Sequence, residues 1–211
     1  YSSSEDKFRI FEIGGGFGLL AGLFYYRYKS NINYWLIDAY SYSLAGQMCY
    51  LKKKFGETKV KKFEDFHSLN EALNFDGFVV CGSWNLDKLN LPNSFNLCVA
   101  ISSIQETSID SQIFYLEFIN KILKPEGNFI SLNDFFFPKT NYGLINENFK
   151  INLLEHSPRS RTFSQPLLVC KTSQNLKDYP NLYGMYGFIK RIDNLIIKEK
   201  SISIAHKQKL E

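Results

Sequence analysis

The chain of 211 residues carries 25 Lys and Arg against 21 Asp and Glu, a net charge of +4, with 45% hydrophobic and 22% charged residues. That size and balance suit one globular domain and exclude disordered, collagenous and coiled-coil chains. A charge so near neutral gives no reason to expect a nucleic-acid partner without a localised basic patch, and 3 histidines narrow the metal options.

Lys7 to Ile13 (KFRIFEI) has strand propensity and runs into Gly14-Gly15-Gly16-Phe17-Gly18, where the chain must turn sharply. Leu19, Leu20, Leu23, Phe24 and Tyr28 then recur at helical spacing and predict a crossover helix over 19–28. Tyr34 to Ile37 is a second strand, closed by Asp38. Leu44, Met48, Leu51 and Phe55 form one apolar stripe of a second helix, stopped at Gly56. The stretch 59–75 is less regular, with a short strand at Val60 to Phe63 and a short helix at Ser68 to Leu73 as its readable elements.

Phe78 to Cys81 and Phe95 to Ile101 read as doubly buried strands of a parallel sheet, the first ending in Gly82-Ser83-Trp84. Ile113, Phe114, Leu116, Ile119, Ile122 and Leu123 predict a helix over 110–123, which Lys124-Pro125-Glu126-Gly127 ends before a strand at Phe129 to Leu132. Ile151 to Leu154 and Leu167 to Lys171 are the candidate last strands. The pattern predicts an α/β fold: a seven-stranded, mostly parallel sheet with an antiparallel C-terminal hairpin and helices on both faces. Residues 173–211 read as an extension packed on a single domain over 1–211. The chain starts at Tyr1 and enters a strand almost at once, so a preceding helical segment is expected in the cell.

Cys81, Cys98 and Cys170 sit in apolar runs, where a thiol acts as a small hydrophobe, and no CxxC pair exists. Zinc and disulfide frameworks are therefore poor readings. Apolar stretches fall short of the 18 or more residues a membrane span requires, and a cytoplasmic address is expected.

Open parallel sheets bind ligands beyond the carboxyl ends of their strands, so strand ends carry the chemistry. The first ends in Glu12-Ile13-Gly14-Gly15-Gly16-Phe17-Gly18, a loop that lets ligand and backbone approach closely. Gly14, Gly16 and Gly18 form G-x-G-x-G, and position 19 is Leu19 where the dinucleotide pattern has its third glycine, which disfavours NAD or FAD. Asp38 closes the next strand, where an acid hydrogen-bonds the vicinal hydroxyls of a ribose. The bland alternatives are a ligand-free turn, a solvated strand end and, for Glu12, a structural carboxylate.

FEIGGGFG followed by LIDAY resembles the first motif and second-strand acid of class I S-adenosylmethionine-dependent methyltransferases, which have a Rossmann-like fold. FVVCGSWNLDKL, FNLCVAISSIQET, YLEFINKILKPEGNFISLND and INLLEHSP resemble, in that order, sugar O-methyltransferases of bacterial surface-polysaccharide and glycan synthesis; the likeness spans Phe8 to Thr172. It implies that Glu12, Gly14, Gly15, Gly16 and Gly18 cradle the amino-acid part of S-adenosylmethionine. Asp38 would take its ribose and Ser83 and Trp84 its adenine, with Ser102 also on the cofactor side and S-adenosylhomocysteine as product. Trp84 offers an aromatic face for a flat base, its alternative being a core tryptophan.

Ser102-Ser103-Ile104 stands where amino-group methyltransferases carry an Asn/Asp-Pro-Pro-aromatic motif, and Cys98 lies within a strand rather than in the loop where a cytosine C5 nucleophile belongs. Oxygen methylation is the expected reaction. A sugar hydroxyl needs a base, and His156 and Glu106 are the candidates, each with a structural alternative as a loop histidine or a cap. Gln105, Asn133 and Asp134 are candidate hydroxyl ligands, and Arg159 and Arg161 suit a phosphate or carboxylate of a nucleotide-sugar or glycan, or else are solvated charge. Asn133, Asp134 and Glu106 could also hold Mg²⁺ through oxygen, although no metal ligand is assigned. Phe135 to Phe137 is a candidate lid or contact for a second subunit, as in a homodimer, or for the missing segment. The rival functions are methylation of a non-sugar small molecule and a cofactor-binding domain without turnover.

Overall fold

A computed structural model describes residues 7–28, 31–134, 150–154 and 164–170. Its elements in chain order are β1 (Phe8–Ile13), α1 (Leu19–Tyr28), β2 (Ile32–Asp38), α2 (Ser41–Phe55), β3 (Val60–Lys62), α3 (Leu69–Asn74), β4 (Gly77–Gly82), β5 (Phe95–Ile101), α4 (Ile109–Ile122) and β6 (Leu123–Asp134). These strands form a parallel sheet in the order β3-β4-β2-β1-β5-β6. From β1 the chain adds β2, passes to the edge strand β3, comes back to place β4 between β3 and β2, and then crosses to the other side of β1, so the order reverses between β1 and β5.

Apolar cores cover both sheet faces. On one, Phe11, Trp35, Val79 and Phe95 meet Ala72 of α3 and Leu116, Phe118, Ile119 and Ile122 of α4. On the other, Ile10, Tyr34, Leu36 and Phe78 meet Leu20, Ala21, Phe24 and Tyr25 of α1 and Leu51 of α2. Every residue of β2 is buried, the signature of a strand covered on both sides. The helix boundaries follow local chemistry. Ser68 and Ser108 accept from the backbone N–H of Glu71 and Ser111 and so start α3 and α4. Gly56, at φ 94°, ends α2 with its N–H on Lys52 O.

The short strand and helix expected in the irregular stretch are β3 and α3. α3 is anchored by side chains from the amino ends of β1 and β2. Asn33 Nδ2 donates to Ala72 O and Phe75 O, each at 2.9 Å, Arg9 Nε donates to Leu73 O at 3.1 Å, and Lys7 reaches Asn74 O. Six residues make a marginal helix alone, and these bonds satisfy the carbonyls its end leaves open.

Two local expectations are corrected. Leu19 and Leu23 of α1 face outward, while Ala21, Gly22 and Tyr25 turn in. A Cβ at Gly22 would lie 3.1 Å from the Tyr50 ring, so the small residues mark where α1 and α2 approach. The segment with Pro125 and Gly127 does not separate α4 from the last parallel strand: Leu123 already pairs with Phe95, and the next pairing is Asn128 with Leu97, so the proline and glycine lie in an irregularity of the ladder.

Phe11 is fully buried with its ring 5.1 Å from Phe95 and 5.6 Å from Phe118. Phe11→Ala is expected to lower the unfolding free energy by about 3–5 kcal/mol, read by urea denaturation followed by circular dichroism.

Candidate functional site

The parallel register brings the expected site residues to one edge. Ile13 pairs with Ile37 and Ala100, Asp38 with Gly82, and Ile101 with Leu132. Across the carboxyl edge, Ser83 and Trp84 therefore follow β4, Asp38 ends β2, Gly14 follows β1 and Ser102 follows β5. The glycine loop occupies the switch point itself.

Gly14, Gly16 and Gly18 have φ of 71°, 54° and 83°, which L side chains rarely adopt. A Cβ at Gly14 would lie 2.2 Å from Ser103 Cβ, whereas at Gly16 nothing among the described residues stands within 4 Å. Among the described residues the loop is thus packed at its root and open at its crest. Ser103 Oγ donates to Ile13 O at 2.7 Å, Gly14 N–H to Ile37 O at 2.8 Å and Gly18 N–H to Gly15 O at 2.8 Å. From α2, Gln47 Nε2 donates to Gly16 O at 3.0 Å.

Beneath the loop, Glu12 is buried and its Oε2 accepts from the Tyr34 hydroxyl at 3.0 Å. Burial pushes the Glu12 carboxyl up to about 7; the Tyr34 hydrogen bond opposes that rise and the nearby Asp38 charge adds to it. Burial, and then Glu12 itself, hold the Tyr34 phenol well above its ordinary range. Asp38 is also buried, and its Oδ1 accepts from Tyr40 N–H at 3.1 Å. Tyr40 and Tyr42 follow it as an exposed stacked pair, ring centroids 5.4 Å apart.

Trp84 is 56% exposed, not a core residue, and its indole lies across Gly82, where a Cβ would be 2.2 Å from the ring. Ser83 shares a hydrogen bond with the Tyr115 hydroxyl of α4, a group that also feels the Asp38 charge and whose pKa burial raises. Sequence reasoning missed Tyr34, Tyr115 and Gln47. Of these only Gln47 left a signal, an amide among the apolar residues Leu44, Met48 and Leu51 of its helix.

After β5, Ser102 is exposed with φ 48°, the backbone strain of a tight turn at a strand end. Ile104–Glu106 form a single 3-10 turn, and Glu106 is exposed on it. Of Gln105, Asn133 and Asp134 only the backbone is described, and His156, Arg159, Arg161, Phe135 to Phe137 and residues 173–211 lie outside the described residues. Among the described residues no group of three or more His, Cys, Asp or Glu is placed to hold a metal ion. No helix there is long and apolar enough to cross a membrane.

The fold is similar to that of solved structures that include S-adenosylmethionine-dependent methyltransferases. A methyltransferase of this kind from Aquifex aeolicus superposes with a TM-score of 0.56 at 14% identity, covering 79% of this chain and 85% of that one. The TehB-like S-adenosylmethionine-dependent methyltransferase of Corynebacterium glutamicum gives 0.55 at 13%, covering 80% and 83%. The PH0226 protein of Pyrococcus horikoshii gives 0.58 at 13%, covering 80% and 84%. No protein-family model matches the chain, and no curated protein matches it. At these identities the likeness is one of fold.

Because folding raises the Glu12 pKa from 4.5 to about 7, the folded chain keeps a proton that the unfolded chain has released between those values. Stability therefore falls as pH rises through that window, by about 3 kcal/mol once both forms are ionised. Glu12→Gln keeps an acceptor for Tyr34 without the charge. Its gain in unfolding free energy over the wild type is expected to grow from near zero at pH 4 to about 3 kcal/mol at pH 8; a constant difference across that range would contradict the burial argument.

Proposed function

We propose that this protein transfers the methyl group of S-adenosylmethionine to a hydroxyl oxygen of a sugar, on a nucleotide-sugar or glycan precursor. The observation that carries the reading is the pairing, on adjacent strand ends, of an open-crested glycine loop with a buried carboxylate at Asp38. The S-adenosylmethionine-dependent methyltransferases among similarly folded structures support the cofactor class. The cofactor supplies a methyl group on a sulfonium, already activated for in-line displacement.

The chain's own residues do the rest. The glycine loop holds the amino-acid part, Asp38 accepts from the ribose hydroxyls, and Trp84 gives the base an apolar face beside the Ser83 hydroxyl. Glu106 or His156 would take the proton of the acceptor hydroxyl whose oxygen receives the activated methyl group. Gln105, Asn133 and Asp134 orient the acceptor, and Arg159 and Arg161 hold its anionic group. Oxygen is favoured because the turn after β5 is built on Ser102, Ser103 and Ile104 rather than on an amide and two prolines.

We read Lys150–Leu154 (β7) and Ser164–Cys170 (β8) as the antiparallel hairpin that finishes such a sheet; the registers of Asn128 with Cys170 and Lys150 with Cys170 support this. A cytoplasmic address fits the free thiol of the buried Cys81.

Calorimetry with S-adenosylhomocysteine tests the cofactor assignment: Asp38→Ala is expected to weaken binding by about 1–3 kcal/mol. No binding to the wild type would remove the reading. With an accepted glycan, followed as a mass gain of one methyl, Glu106→Gln or His156→Ala is expected to slow turnover about 100-fold while cofactor affinity holds. If neither variant slows it, the base lies elsewhere.

A further inference from the structure

The second helix grips the glycine loop from below through residues outside the motif. Gln47 is fully buried, its Nε2 donates to Gly16 O at 3.0 Å, and its Oε1 has no hydrogen-bond partner among the described residues. Its neighbour Gly46 lies under the Phe17 ring, where a Cβ would come 2.3 Å from Phe17 Cδ1. Farther along α2, Leu51 sits 3.2 Å from where a side chain at Gly18 would begin. The underside of Gly15 is closed by Leu36 Cδ2, Glu12 Oε2 and Gln47 Nε2, at 3.1, 3.3 and 3.4 Å from an added Cβ.

A run of glycines loses more freedom on ordering than any other sequence, so this loop needs an external hold to keep one shape. The bond from Gln47 draws the Gly16 carbonyl toward α2. Since the peptide unit is planar and trans, the N–H of the same unit, on Phe17, faces the opposite way from that carbonyl. A leucine at position 47 would continue the stripe of Leu44, Met48 and Leu51 and would remove the unpaired Oε1, while the carbonyl it deprives of a donor belongs to the exposed Gly16 and can turn to water, so the amide is the costlier choice for folding alone.

Resting on the cofactor reading above, we propose that Gln47 is a positioning residue: its side-chain amide orients the Gly16–Phe17 peptide so that the loop presents an N–H to the carboxylate end of the bound amino-acid nucleoside. It acts on the amino-acid half of the ligand, and the nucleoside half is held by other strand ends.

The test compares wild type with Gln47→Leu, using S-adenosylhomocysteine and adenosine as calorimetric probes. Gln47→Leu is expected to bind S-adenosylhomocysteine about 10-fold more weakly and adenosine unchanged, with a thermal midpoint at or above that of the wild type. Hydrogen exchange at Gly16, Phe17 and Gly18 in the ligand-free protein is expected to quicken about 10-fold. Unchanged S-adenosylhomocysteine affinity, or equal losses for both probes, overturns the proposal, as does failure of both Gln47→Leu and Gln47→Met to fold. If wild type binds neither probe while loop exchange still responds to the substitution, the cofactor reading fails and the hold of Gln47 on the loop stands.

Discussion

The closeness of β1 and β5 at their carboxyl ends governs the rest of the molecule. Gly14 and Ser103 meet so tightly that a Cβ on the glycine would overlap the serine, and the serine hydroxyl closes the seam onto the Ile13 carbonyl. This seam coincides with the reversal of strand order. It gives the glycine loop a fixed root, and from there parallel register sets how far Asp38 and Gly82 stand from it. A glycine at position 14 is thus a packing requirement as well as a conformational one.

The loop rests on a polar layer within an apolar face. Glu12, Tyr34 and Gln47 are all buried on the side where α1 and α2 cover the sheet, in company with Ile10, Leu36 and Leu51. A carboxyl with a raised pKa and an amide oxygen without a partner among the described residues each cost folding free energy that hydrocarbon would not. Such costs gathered under one loop fit a region shaped for a ligand more than for stability.

Much of the fold was legible because its strands are short apolar runs and its helices carry apolar stripes, and the glycine loop and Asp38 fell at strand ends that periodicity alone could locate. The orientation of α1 was not legible. Leu19, Leu23 and Tyr26 look inward by hydrophobicity, yet they are exposed while Gly22 is buried, because the helix packs by close approach to α2. The seam with Ser103 and the reach of Tyr115 to Ser83 were hidden for another reason: both join residues far apart in sequence, and neither residue type signals its partner. Trp84 was assigned to the site by the resemblance, and the structure leaves it exposed, its indole lying across the backbone of Gly82.

The chain's 2 tryptophans occupy opposite extremes. Trp35 is enclosed between Phe63 and Phe95 with its Nε1 donating to Asn33 Oδ1 at 2.7 Å, whereas Trp84 faces water at the head of the sheet. Their emission is therefore separable by colour, the shielded indole at the blue edge and the solvated one at the red. A flat ring arriving on Trp84 would quench the red edge alone, and the blue edge would supply an internal reference for the integrity of the core.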